Sequence, residues 1–83
     1  MRYAAYFVAL DGDYVTVTGH DDVSRRVTSV EDFNYFLLNE QTLLGKDVEL
    51  QVMFSSSMDF PADYTSNPNT LALVKALGDD TMQ

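Results

Sequence analysis

"RYAAYFVALDGDYVTVTG", residues 2 to 19, decides the fold. Its second half alternates strictly, with Val15 and Val17 on one side and Tyr14, Thr16 and Thr18 on the other, which is the two-residue period of a strand. Its first half mixes aromatic β-formers with alanine and runs into Asp11-Gly12-Asp13, a turn signal of the Asp-Gly type. Together they predict a β-hairpin with strands over 2–10 and 13–19. One feature sits badly with a half-exposed sheet. Tyr3, Ala5, Phe7 and Ala9 make one side of the first strand apolar, and Ala4, Tyr6, Val8 and Leu10 do the same for the other. A sheet with one solvated face needs only one apolar side. The expectation is a second helix over the far side, and the alternative is a face that meets another molecule.

Downstream of the hairpin, Gly19 to Asp22 breaks the alternation, and "VSRRVT" (23–28) either adds a short strand or leads directly into a helix. That helix is expected over "TSVEDFNYFLLNEQTLL". Thr28 or Ser29 caps it, Glu31 and Asp32 lie in its first turn, and Val30, Phe33, Leu37 and Leu44 fall at helical spacing with Phe36 and Leu43 alongside. Gly45 is placed to end it with a left-handed residue. "DVELQVMF" (47–54) returns to period two, with Val48, Leu50, Val52 and Phe54 inward and Glu49, Gln51 and Met53 outward. A polar loop with room for one short helical turn follows. Asn67 and Pro68 then start a last helix that is expected to stop at Gly78. The predicted fold class is α+β: a small three-stranded antiparallel sheet in the order β-β-α-β-α, with helices packed on it. The chain is expected to be a single domain over 1–83, with 79–83 as a frayed tail.

Size and composition narrow the function. Eighty-three residues support one core, because a chain of this length buries only roughly 60% of the surface its unfolded form exposes. Hydrophobic residues make up 46%, with five Phe and five Tyr, so disorder is not expected. With no cysteine, disulfides, thiolate metal sites and cysteine nucleophiles are excluded. The start "MRYAAYFVAL" lacks the hydrophobic core and small-residue cleavage site of a signal peptide, and no stretch reaches the roughly 20 apolar residues of a membrane span. A cytoplasmic location, in a host cell, is the expectation. Thirteen acids against five bases give a net charge of −8. Such a domain repels nucleic acid and anionic membrane and attracts basic protein surfaces.

Four aspartates flank the second strand: Asp11, Asp13, Asp21 and Asp22. At roughly 3.3 Å per residue, Asp13 and Asp21 lie on the order of 25 Å apart in an extended chain, too far to share one ion. "DGD" also lacks the further ligand spacing of a calcium loop. His20 adjoins Asp21 and Asp22, but neighbours in an extended chain do not point at a common centre, and there is no second histidine. Ser55 to Ser57 have no nucleophile motif around them, and they are expected to mark a strand exit. Gly12, Gly19, Gly45 and Gly78 are all placed at turns, in no phosphate-binding or dinucleotide pattern. No catalytic residues, metal or cofactor are expected, and the protein is expected not to be an enzyme. The other acids, including Glu31, Asp32, Glu40, Asp47, Glu49, Asp59, Asp63, Asp79 and Asp80, are expected to face solvent.

Carboxylates spaced along a rigid hairpin can stand in for backbone phosphates on a basic protein groove. On this basis the candidate partner-binding residues are Asp11, Asp13, Tyr14, Asp21 and Asp22, then Glu49, Asp59 and Asp63, with Tyr64 as a further aromatic anchor. In length, acidity, compact α+β pattern and freedom from catalytic motifs, the chain resembles the small acidic proteins with which bacteriophages disable host defences. It resembles especially the anti-CRISPR inhibitors, several of which imitate DNA. The resemblance implies a stoichiometric inhibitor that covers a nucleic-acid-binding surface of a CRISPR effector. The competing expectation is a non-catalytic assembly module that forms homo-oligomers through the apolar first strand, using Tyr3, Phe7 or Tyr6.

Overall fold

The computed structural model describes the backbone of residues 2–81 and the side chains of residues 2–79. β1 (Arg2–Asp11) and β2 (Tyr14–Thr18) form the expected hairpin, with Asp11 opposite Tyr14 so that Gly12 and Asp13 alone make the loop. Gly12 has φ of 60°, while Asp13 keeps a negative φ, which is the sign pattern of a type II′ turn and the reason glycine stands first. β3 (Ser24–Val27) then pairs antiparallel with β2, so the ambiguous 23–28 segment is a strand. α1 (Val30–Leu44) is capped by Ser29, whose Oγ accepts the Asp32 N–H at 3.1 Å. At its other end Gly45 has φ of 99°, and its N–H donates to the Gln41 carbonyl.

β4 (Val48–Phe54) joins the other edge of the sheet, giving the order β3-β2-β1-β4, and it pairs parallel to β1. The expected three-stranded antiparallel sheet is therefore corrected to a four-stranded mixed one within the same α+β class. A helix returns the chain to the end of the sheet where the preceding strand began, so the next strand repeats that strand's direction. Had α1 followed β2 directly, β4 would run against β1. The four residues of β3 reverse the parity. At 15 residues, α1 is about 22 Å long, enough to cross the roughly 14 Å between the outer strands.

After β4, the loop holds a short α2 (Ser56–Asp59) and a 3-10 turn at Pro61–Asp63. Ser57 is buried and its Oγ accepts the Leu10 N–H at 2.9 Å, which fastens this segment to the end of β1. α3 (Pro68–Thr81) runs through Gly78 instead of ending there, so residues 79–81 of the expected tail are helical. Residues 82 and 83 of that tail, and the side chain of Asp80, lie outside the described residues.

The core lies on one face of the sheet. Ala4, Tyr6, Val8 and Leu10 of β1, Val15 and Val17 of β2, Val27 and Val48 pack with Phe33, Met58, Val74 and Leu77 from the helical segments. Val30, Phe36, Leu37 and Leu44 of α1 pack against them, but Leu43 is 77% exposed and does not belong to the apolar stripe. Among the described residues no helix covers the second face. The expected covering helix is absent because α1, α2 and α3 all contribute to the same core.

Candidate protein-binding surface

The uncovered face follows from the register. Phe7 lies between Met53 and Thr18, Ala9 pairs with Thr16 and Thr16 with Arg26, Ala5 pairs with Gln51, and Tyr3 with Glu49. Tyr3 is 59% exposed, Phe7 51%, Tyr14 50% and Met53 39%. Strict alternation makes this surface unavoidable: once Tyr6 and Val8 turn inward, Phe7 must turn outward. At one corner the Arg26 guanidinium stands 3.7 Å from the centre of the Tyr14 ring, a cation–π contact that orders both side chains. Thr18 and Ser24 hydroxyls bond at 2.8 Å across the β2–β3 rung.

Around this face the candidate acids separate into those used by the fold and those left free. Asp13 serves the fold. Its Oδ1 accepts the Thr65 hydroxyl at 2.6 Å and its carbonyl accepts the Thr70 hydroxyl at 2.8 Å, pinning the start of α3 to the hairpin. Asp21 also serves it, because Oδ1 accepts the Val23 N–H and Oδ2 pairs with Arg25 at 3.5 Å. The Val23 amide, helped by Arg25, holds its carboxyl below the ordinary carboxylate range. Asp22 occupies a left-handed turn position with φ of 63° and is exposed. Asp11, Glu49, Asp59 and Asp63 are exposed as well. Asp11, Asp13, Asp59 and Asp63 collect at the hairpin-turn end of the sheet, Asp21 and Asp22 lie at the other end of β2, and Glu49 stands beside Tyr3. Tyr64 is 48% exposed.

One acid departs from the expected pattern. Glu40 is half-buried and its Oε1 accepts the hydroxyl of Tyr6, which is fully buried, at 3.0 Å. Burial, reinforced by that carboxylate, pushes the Tyr6 hydroxyl up to about 12. The Tyr6 ring meets Phe36 edge-on at 5.7 Å and His20 at 5.9 Å between centres. Tyr6 therefore cannot be the oligomer contact expected of it, whereas Tyr3 and Phe7 are available. Nothing in the local pattern around residue 40 signals the bond, since its partner is 34 residues away.

An open groove of about 270 Å³ lies between the start of β2, the end of β3 and the start of α3, lined by Asp13, Tyr14, Arg26, Val27, Thr70 and Leu73. Among the described residues, no three or more His, Asp or Glu side chains are grouped so as to hold a metal ion, and no helix is long and apolar enough to cross a membrane. Ser55 caps α2, and its hydroxyl contacts that of Ser57. No family model, curated protein or solved structure matches the chain.

The unequal duties of the acids set an expected result. Asp13→Ala should lower stability by about 1–2 kcal/mol in a urea titration, because the buried Thr65 hydroxyl loses its acceptor. Asp11→Ala should stay within about 0.5 kcal/mol, as for an exposed surface site. Equal effects would mean that Asp13 is not a pin.

Proposed function

We propose that the protein acts by binding another protein, not by catalysis, and that it does so through the open face of its sheet. The observation that carries this is the combination on one surface of exposed Tyr3, Phe7, Tyr14 and Met53 with free carboxylates at its margins, Asp11 and Glu49 above all. An apolar centre within a polar rim is the anatomy of a protein interface, and aromatic residues are its usual anchors. The net charge of −8 selects a basic partner. The finer reading is that this partner is a nucleic-acid-binding surface of a CRISPR effector in the cytoplasm of a host cell, and that the protein inhibits it by occupying that surface. This rests on the acidity and on the type of protein the chain resembles.

The test is capture from host extract at several salt concentrations, identification of what is retained, and remeasurement with purified partner. Tyr3→Ser with Phe7→Ser should weaken binding about 30-fold, roughly 2 kcal/mol, without unfolding the chain, since both side chains are half-exposed. Reversing Asp11, Glu49, Asp59 and Asp63 to lysine should weaken binding further at low salt and flatten its salt dependence. Binding that ignores both sets of substitutions would overturn the proposal. Self-association through the same first-strand face is the second reading, favoured by the exposure of Phe7. In that case the Tyr3 and Phe7 double variant would abolish an oligomer instead of a heterologous complex.

A further inference from the structure

The two edges of the sheet are unlike. β3 is four residues long and carries Arg25 and Arg26, both exposed, so it has the shortness and charge with which sheet edges avoid pairing. β4 has seven residues, VELQVMF, with no proline or lysine and with Glu49 as its single charge. Its ladder to β1 fixes which backbone groups face outward. The Arg2 N–H donates to the Asp47 carbonyl and the Ser55 N–H to the Val8 carbonyl, so the odd-numbered residues bond to β1 and the even-numbered ones turn away. The first of these, Val48, is already satisfied: its N–H donates to the Gly45 carbonyl and its carbonyl accepts from Gln41 Nε2 at 3.0 Å. Leu50, Val52 and Phe54 follow, each with an outward N–H and C=O that have no partner among the described residues.

We propose that two copies of the chain pair antiparallel along their β4 edges, with Val52 opposite Val52 and Leu50 opposite Phe54 of the second copy. In this register every outward group of residues 50, 52 and 54 finds a partner: three pairs with two bonds each make six bonds. The side chains agree with it. Leu50, Val52 and Phe54 are only partly buried and lie on the core side, so the pairing extends one core toward the other. On the open side Gln51 falls opposite Met53, and Glu49 opposite Ser55, so no two like charges are opposed. A one-residue slip would turn the two core faces to opposite sides, and a two-residue slip toward the strand start would set the occupied Val48 against Phe54. The product is a continuous eight-stranded sheet that places the two open faces side by side. It is independent of the partner proposed above.

The test is sedimentation of the full chain over a concentration series. The wild type is expected to reach twice the 9.3 kDa chain mass, and to associate more tightly as salt rises, because each copy carries −8. Gln51→Lys with Met53→Lys, both exposed in the single chain, sets lysine opposite lysine in two places and should weaken the dimer about tenfold with an unchanged circular-dichroism spectrum. Tyr3→Ser with Phe7→Ser should leave it intact. If the lysine variant fails to fold, Gln51→Cys with Met53→Cys decides: in this cysteine-free chain it should form a covalent dimer on mild oxidation, while Gln51→Cys alone should not. A wild type that remains at 9.3 kDa up to about millimolar concentration, a dimer indifferent to the lysines, or one lost with Tyr3 and Phe7 overturns the proposal.

Discussion

Tyr6→Ala is expected to remove a large share of the protein's stability and lower its melting temperature by roughly 15–30 °C. Tyr6 is the largest fully buried side chain, on a strand flanked on both sides, and its ring touches Phe36 and His20. Truncating a buried aromatic to alanine costs about 3–5 kcal/mol through lost transfer energy and the cavity left behind. A chain of 83 residues has a total stability of about 4–12 kcal/mol. The loss is therefore about a quarter of that total at the least and all of it at the most. Tyr6→Phe keeps the ring and strips Glu40 of its donor, so it should cost only about 1 kcal/mol. Thermal melts of the two variants check the pair. A shift of under about 5 °C for Tyr6→Ala would show that this ring does not organise the core.

Alkaline pH is expected to destabilise the protein through the same residue. The folded state holds the Tyr6 hydroxyl at about 12, above its ordinary value near 10.0, because burial and Glu40 both disfavour the phenolate. The unfolded chain thus gives up this proton first. The contribution of Tyr6 is fully present below about pH 10 and is lost as the pH rises through about 12, a loss of roughly 2–3 kcal/mol. Urea midpoints between these pH values should fall in the wild type more than in Tyr6→Phe. Every other titrating group is common to the two proteins, so the difference between them isolates Tyr6. Parallel curves would place the tyrosine hydroxyl in water.

Much of the local structure was legible. The alternation of 14–18 and 48–54, the Asp-Gly turn, a cap at Thr28 or Ser29 and Gly45 all reflect forces that act within a few residues, and the structure chooses Ser29 as the cap. Gly78 misled for the same reason. Glycine is a common stop, yet α3 continues past it, carried by the burial of Val74 one turn earlier and of Leu77 just before it. The short "SRRV" strand was ambiguous because its two arginines give it little apolar alternation, and it becomes a strand through its pairing with β2.

What the sequence determined by itself was an acidic α+β domain with a hairpin whose first strand is apolar on both sides, because charge, period and turn chemistry are local or additive properties. Tertiary structure alone decided three further matters. The presence of β3 set the direction of β4 relative to β1. The gathering of α1, α2 and α3 on one side left Tyr3, Phe7 and Met53 uncovered. Finally, Asp13 was drawn into the fold by Thr65 and Thr70 while Asp11 and Glu49 stayed free. The reason is common to most of these: the Asp13 and Thr65 side chains are 52 residues apart and Tyr6 and Glu40 are 34 apart, so their meeting depends on how the whole chain closes and leaves no trace in either neighbourhood.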